Sequence, residues 1–124
     1  MPVTYEIDPD RRLVISRLWG GVTEDEIDEH NRRLPADPRF DPAYRQLVDL
    51  TGITEVLVGT KMINDTARDQ FFNPGTRRAF AASSDATFGL ARMFALRAEL
   101  GGQTIQVFRD IAKAEEWLGL TPEP

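Results

Sequence analysis

Leu47-Val-Asp-Leu-Thr-Gly-Ile-Thr54 is the stretch of sequence that decides the fold. It opens with a nearly continuous apolar run from Leu47 to Leu50, which is typical of a strand covered on both faces. From Thr60 onward, apolar residues recur at helical spacing instead. This change of period predicts a strand-to-helix turn of an α/β domain, at the edge of the sheet where such folds usually bind ligands.

Upstream of this stretch, two segments have the pattern of strands. Alternate residues from Val3 to Ile7 are apolar, and a second run rich in β-formers extends from Leu13 to Trp19. The turn-forming residues Asp8-Pro9-Asp10 lie between them. We therefore expect an antiparallel hairpin that is closed by Gly20-Gly21.

The first helix is marked by a capping box, Thr23-Glu-Asp-Glu26. The Thr23 side chain accepts a hydrogen bond from the amide of Glu26 in such a motif, and the Glu26 side chain reaches back to the amide of Thr23. We expect this helix to end at Leu34, because a proline follows.

Downstream, cap residues and breakers indicate three further helices separated by two strands. We expect caps at Thr60, Ser84 and Asp110, a first helix reaching Asn73-Pro-Gly75, a second reaching about Leu100, and strands at Arg78–Ala82 and Thr104–Phe108.

This order of elements predicts an α/β fold. We expect a mixed sheet of about five strands, in which an N-terminal antiparallel hairpin precedes parallel β-α units, with about four helices. The chain has 124 residues, so a single domain over residues 1–124 is expected.

Composition excludes several classes of function. The chain has no cysteine, which rules out disulfides, thiolate metal sites and a cysteine nucleophile. Its net charge of −5 disfavours nucleic acid as a partner. We see neither a signal peptide nor an apolar run long enough to span a membrane, so a soluble cytoplasmic protein is the expectation.

The order of elements, with Asp49-Leu-Thr-Gly-Ile-Thr54 after the central strand, resembles the SpoIIAA-like branch of the STAS superfamily, which includes anti-sigma-factor antagonists and the cytoplasmic domains of sulfate transporters. Shorter motifs carry the same resemblance along nearly the whole chain. They are Trp19-Gly-Gly, Thr23-x-x-Glu26, Ala91-Arg-Met93, Val107-Phe-Arg-Asp110 and Ala114-Glu-Glu-Trp-Leu118. The resemblance implies a SpoIIAA-like fold and a binding role.

One departure from that family limits what the resemblance implies. STAS switch proteins carry an Asp-Ser-Ser-Gly-type turn after this strand, and its serine is phosphorylated. Here Leu57, Val58 and Gly59 stand where Asp, Ser and Ser would be, and Thr60 is the nearest hydroxyl. The phosphorylation switch is therefore not expected.

Five polar residues are candidates for an anion site near the carboxyl ends of the strands. Exposed amides at helix starts can hold anions. The candidates are Asp49, Thr60, Lys61, Ser83 and Ser84. For Thr60 and Ser84 the alternative is plain helix capping. Asp49 is either a general base or a residue that fixes its own loop.

The third predicted helix is apolar on at least three sides, which exceeds what one sheet can cover. A neighbouring helix, a second copy of the chain or an apolar ligand would cover the rest. Candidate residues for the partner surface or apolar pocket are Met62, Phe71, Phe88, Leu90, Met93 and Phe94.

No catalytic, cofactor or metal site is predicted. His30 is the only histidine and falls on a largely polar helix, so we expect it at the surface. There is no nucleophile elbow and no phosphate-binding glycine loop. The favoured interpretation is a non-enzymatic protein-interaction or regulatory domain that associates with itself as a homodimer or with another protein. The alternative is a domain that binds an apolar ligand, lipid or nucleotide.

Overall fold

Nine elements follow one another in the computed structural model, which describes residues 2–120. They are β1 (Val3–Asp8), β2 (Leu13–Thr23), α1 (Glu24–Ala36), β3 (Arg45–Leu57), α2 (Thr60–Arg68), β4 (Arg77–Ala81), α3 (Asp85–Glu99), β5 (Thr104–Phe108) and α4 (Ile111–Leu118). The predicted alternation of strands and helices is confirmed.

The five strands form one sheet in the order β1-β2-β3-β4-β5. β1 pairs with β2 in antiparallel orientation, and each later pair is parallel. This arrangement confirms the predicted mixed sheet with an N-terminal hairpin.

β2 and β3 continue well past the other strands as a two-stranded ribbon. Their pairing extends to Thr23 and Leu57, whereas β4 pairs with β3 only as far as Asp49. The prediction that Gly20-Gly21 would end the second strand is wrong, because the strand passes through both glycines with a shift of register there. Gly20 has a φ of +68°, a left-handed conformation that glycine adopts without strain.

Helix ends were predicted less well than helix positions. α1 continues through Pro35 to Ala36 instead of ending at Leu34. Beyond the proline, the helix end is closed by the Asp37 amide, which donates to the Leu34 carbonyl over 3.1 Å. α2 ends at Arg68, and Phe71 lies beyond it. Phe71 and Phe72 lie in the segment between α2 and β4, with their ring centroids 5.2 Å apart.

The sheet is covered on both faces. Since successive side chains of a strand point to opposite faces, Leu13 and Ile15 of β2 pack with Ala114 and Leu118 of α4 on one face. Val14 points to the other face and packs with Leu34 of α1. α3 lies on that same face and packs over β5, and α2 packs alongside α3.

Candidate functional site

A cavity of about 170 Å³ lies between the sheet and the layer formed by α1, α2 and α3. Most of its wall is apolar, and strands β2 and β3 contribute together with all three helices. Representative lining residues are Leu18, Val22, Val48, Ile53, Met62 and Phe94. Several of these side chains are only half-buried, so the cavity reaches the surface of the protein.

Four of the six residues predicted for a partner surface or apolar pocket line this cavity: Met62, Phe71, Leu90 and Phe94. Phe94 also packs against Phe80 of β4, with ring centroids 5.5 Å apart.

The other two residues lie elsewhere. Phe88 is covered by Arg109, whose guanidinium carbon is 4.0 Å from the centre of the ring. Met93 is half-buried and is not part of the cavity wall.

Arg78 of β4 forms the polar floor of the cavity. Its side chain is 4% exposed, and its guanidinium carbon lies 4.3 Å from the centre of the Phe72 ring. Burial lowers the pKa of Arg78 to about 9, which leaves the side chain charged at neutral pH.

Three glutamine side chains accept hydrogen bonds from this guanidinium. Nε donates to Gln46 Oε1 over 3.0 Å, and Nη1 donates to Gln103 Oε1 over 2.9 Å and also to Gln70 Oε1. Gln103 is itself held by the carbonyl of Phe72 at 2.9 Å. The charge is therefore solvated by neutral amides.

A second group of side chains continues this network toward α1. Gln46 Nε2 donates to Ser16 Oγ over 3.1 Å, and Ser16 Oγ lies 2.9 Å from His30 Nε2. His30 Nδ1 lies 2.9 Å from Asn31 Oδ1. All of these contacts are satisfied when His30 is neutral, donates from Nδ1 and accepts at Nε2 from the Ser16 hydroxyl.

The prediction that His30 lies at the surface is wrong. It packs edge-on against Tyr5 and lines the cavity. Its pKa is lowered, chiefly because burial disfavours the charged ring. The Asn31 contact opposes this shift, while the nearby charge of Arg78 adds to it.

The five residues predicted for an anion site lie outside the cavity wall. Asp49 Oδ1 accepts hydrogen bonds from the Thr51 amide at 2.9 Å and hydroxyl at 2.6 Å, so it fixes its own loop. Ser83 Oγ donates to the Thr51 carbonyl over 3.4 Å. Ser84 caps α3, as predicted, by accepting from the amide of Thr87.

Thr60 does not cap α2. Gly59 is the N-cap and makes no side-chain cap bond. Its amide instead donates to Glu24 Oε2 over 2.8 Å, so a carboxylate of α1 occupies the start of α2. Lys61 points away and pairs with Asp65 at 2.7 Å. The structure records no contact that brings Thr60 or Lys61 to Ser83 or Ser84.

Sequence reasoning missed the polar floor, made of Ser16, His30, Gln46 and Arg78. A signal was present for Ser16, which occupies an inward position of β2 between the apolar residues Val14 and Leu18. Gln46 pairs with Arg78 across the β3–β4 ladder, and Val14 pairs with Gln46 across β2–β3. The strand order was not predictable, so these positions could not be brought together.

Within residues 2–120, no cluster of three or more His, Cys, Asp or Glu residues has the geometry to hold a metal ion. In the same part of the chain, each helix falls short of the length and apolarity that a bilayer crossing requires.

Comparison with known proteins bears on the fold alone. The sequence matches no protein-family profile and no curated protein. Among solved structures, the chain is similar to an uncharacterised protein of the DUF3478 family from Shewanella loihica PV-4, described as having a SpoIIAA-like fold. The two share 16% sequence identity with a TM-score of 0.57, over 94% of this chain and 91% of the other. This chain therefore has a SpoIIAA-like fold, as the order of its motifs predicted.

Proposed function

We propose that this protein binds a small apolar molecule in the cavity between its sheet and helices α1–α3. The observation that carries the proposal is the cavity itself, which is largely walled by apolar side chains and reaches the surface. Binding sites for small molecules typically combine such a wall with a few placed polar groups. Here those groups are confined to the floor around Arg78.

The volume limits the size of the ligand. A cavity of about 150 Å³ lined by apolar side chains accommodates benzene, and this one has about 170 Å³. A ligand with roughly six to eight non-hydrogen atoms inside the cavity fits that volume. A longer lipid or a nucleotide would have to extend through the opening.

The proposed role is binding without catalysis. Ser16 Oγ and His30 Nε2 lie 2.9 Å apart, which is the separation expected of a nucleophile and its general base. However, a general base has to take up the proton of the nucleophile. Burial, together with the nearby charge of Arg78, lowers the pKa of His30 and so disfavours its protonation. We therefore assign the pair to holding α1 on the sheet.

The test combines a neutral probe with a pair of tryptophan substitutions on one helix. Leu90 lines the cavity, whereas Leu96 is 57% exposed on the outer side of α3. We expect 1-hexanol to bind the wild-type protein in calorimetry and to raise its melting temperature. Leu90→Trp should weaken that binding at least tenfold by filling the cavity, and Leu96→Trp should leave it unchanged.

Two outcomes would count against this proposal. One is the absence of any thermal shift with 1-alkanols of four to ten carbons, together with a clean ligand-free mass in native mass spectrometry of freshly purified protein. The other is unchanged hexanol affinity in a folded Leu90→Trp variant.

A protein-interaction role is the second candidate, and one observation favours it. Leu96, in the last turn of α3, and Leu100, the residue directly after the helix, are 57% and 89% exposed. Large apolar side chains that are exposed together are typical of interaction surfaces. We propose self-association through this side of α3 as the form of that role.

A further inference from the structure

We propose that the ligand of this cavity is a small apolar carboxylic acid whose carboxylate binds the guanidinium of Arg78. The inference rests on the proposed function, and it adds the chemical class of the ligand. Three independent observations support it: the missing counter-charge, the free donors of the guanidinium, and the single positive charge at the floor.

The first observation concerns the counter-charge. A buried arginine is ordinarily paired with a carboxylate, because a lone charge in a protein interior is strongly disfavoured. The three recorded side-chain acceptors of Arg78 are all neutral glutamine oxygens. Within residues 2–120, no aspartate or glutamate lines the cavity, although the chain has 20 acidic residues. The position opposite Arg78 is therefore open to an external anion.

The second observation concerns the hydrogen-bond donors of Arg78. Nε and Nη1 donate to the glutamines, and no acceptor for Nη2 is recorded among residues 2–120. Because the side chain contributes to the cavity wall, Nη2 can present its two N–H groups to a molecule inside the cavity. Charge-assisted hydrogen bonds between guanidinium and carboxylate are among the strongest in proteins.

The third observation concerns the number of charges. Among the residues that the structure describes, Arg78 is the one charged residue in the cavity lining, since His30 is held neutral. One buried cation balances one negative charge, so a carboxylate matches the floor better than a phosphate group with nearly two charges. The apolar wall then requires that the remainder of the ligand be hydrocarbon, either a short alkyl chain or one aromatic ring.

Three probes of equal length test this inference on the unmodified protein at pH 7.5: hexanoate, 1-hexanol and hexylammonium. Their alkyl chains fill the same volume, so differences in affinity report the head group. By calorimetry we expect hexanoate to bind at least tenfold more tightly than 1-hexanol, and hexylammonium at least tenfold more weakly.

A matched pair of substitutions identifies the responsible charge. Arg78→Met should abolish the advantage of hexanoate over 1-hexanol while preserving the binding of 1-hexanol. Arg77→Met removes the neighbouring arginine of the same strand, which is exposed and stacks on Trp117 on the other side of the sheet. It should leave the preference for hexanoate unchanged. Circular dichroism verifies that each variant folds.

The results separate this inference from the function on which it rests. If 1-hexanol binds and hexanoate does not bind more tightly, the carboxylate assignment is overturned while apolar binding stands. If neither binds, apolar binding itself is overturned. Should Arg78→Met fail to fold, the comparison of the three probes on the wild-type chain still decides the question.

Discussion

His30 is held in its neutral form by its surroundings in the folded chain. Burial is the largest cause of its lowered pKa, and the charge of Arg78 acts in the same direction. The neutral ring also suits its position, because Nε2 accepts from Ser16 while Nδ1 faces the amide oxygen of Asn31. Protonation would place a second positive charge beside Arg78 and remove the acceptor that Ser16 uses.

This environment predicts a pH dependence of stability. The unfolded chain takes up a proton at His30 near its ordinary pKa of 6.5, whereas the folded chain does so only at lower pH. The free energy of unfolding should therefore decrease as the pH falls from 7.5 to 5.5. His30→Gln should show a smaller decrease, measured by urea denaturation at each pH.

The range from pH 7.5 to 5.5 separates the titration of His30 from that of the carboxylates whose pKa values are shifted. Arginine partners lower the pKa of Asp8, Asp37 and Asp69, so these carboxylates titrate below that pH range. An equal loss of stability in the wild type and in His30→Gln would show that His30 is not held neutral by the fold.

Neither His30 nor Arg78 could be recognised as a site residue from sequence. The helix that carries His30 is polar, with Leu34 as its only buried residue among those the structure describes. A histidine on such a helix is expected in solvent. Its partner Ser16 lies 14 residues earlier, on a strand whose neighbours were not known. The half-buried position of His30 and the burial of Arg78 depend on tertiary packing, which local periodicity does not encode.

Among the helices, the starts of α1 and α2 differ in how their free amides are satisfied. α1 has the complete capping box predicted from Thr23 and Glu26, with Glu26 Oε1 2.9 Å from the amide of Thr23. α2 has no side-chain cap of its own and instead receives Glu24 at the Gly59 amide. The first arrangement is local and could be read from four consecutive residues, while the second joins positions 35 residues apart.

This difference predicts unequal effects of the same substitution at the two helix starts. Thr23→Ala should lower the free energy of unfolding by about 1 kcal/mol, because it removes the capping hydroxyl of α1. Thr60→Ala is the matched control and should change stability by less than about 0.5 kcal/mol, since the Thr60 side chain is exposed and caps nothing. Both are measured by urea denaturation, and similar losses at the two positions would contradict this account.

Viewed as a whole, the molecule covers most of α3 without a partner. One side of the helix is buried, at Thr87, Ala91, Ala95 and Ala98. α2 packs alongside it, and Leu90 and Phe94 line the cavity. The sequence correctly predicted a helix that is apolar on several sides. It could not show which sides the rest of the chain would cover, since that depends on the position of α2.

We predict that the protein associates with itself through the exposed side of α3 marked by Leu96 and Leu100. We expect the wild-type chain to elute as a dimer in size-exclusion chromatography with light scattering. Leu96→Asp with Leu100→Asp should give a monomer of unchanged melting temperature, because both side chains are exposed within one chain. Phe94→Asp is unsuitable for this purpose, since it would bury a charge in the cavity. A wild-type monomer at high protein concentration would rule the dimer out.

Arg78 also has a consequence for the lifetime of the protein in a cell. Folding without a ligand has to strip water from a guanidinium that, within residues 2–120, faces glutamine oxygens and no carboxylate, and this opposes stability. An occupant that brings the missing negative charge stabilises only the folded form. Occupied copies would then resist proteases longer than empty ones. The abundance of the protein would follow the supply of its ligand, with no change in the rate of its synthesis.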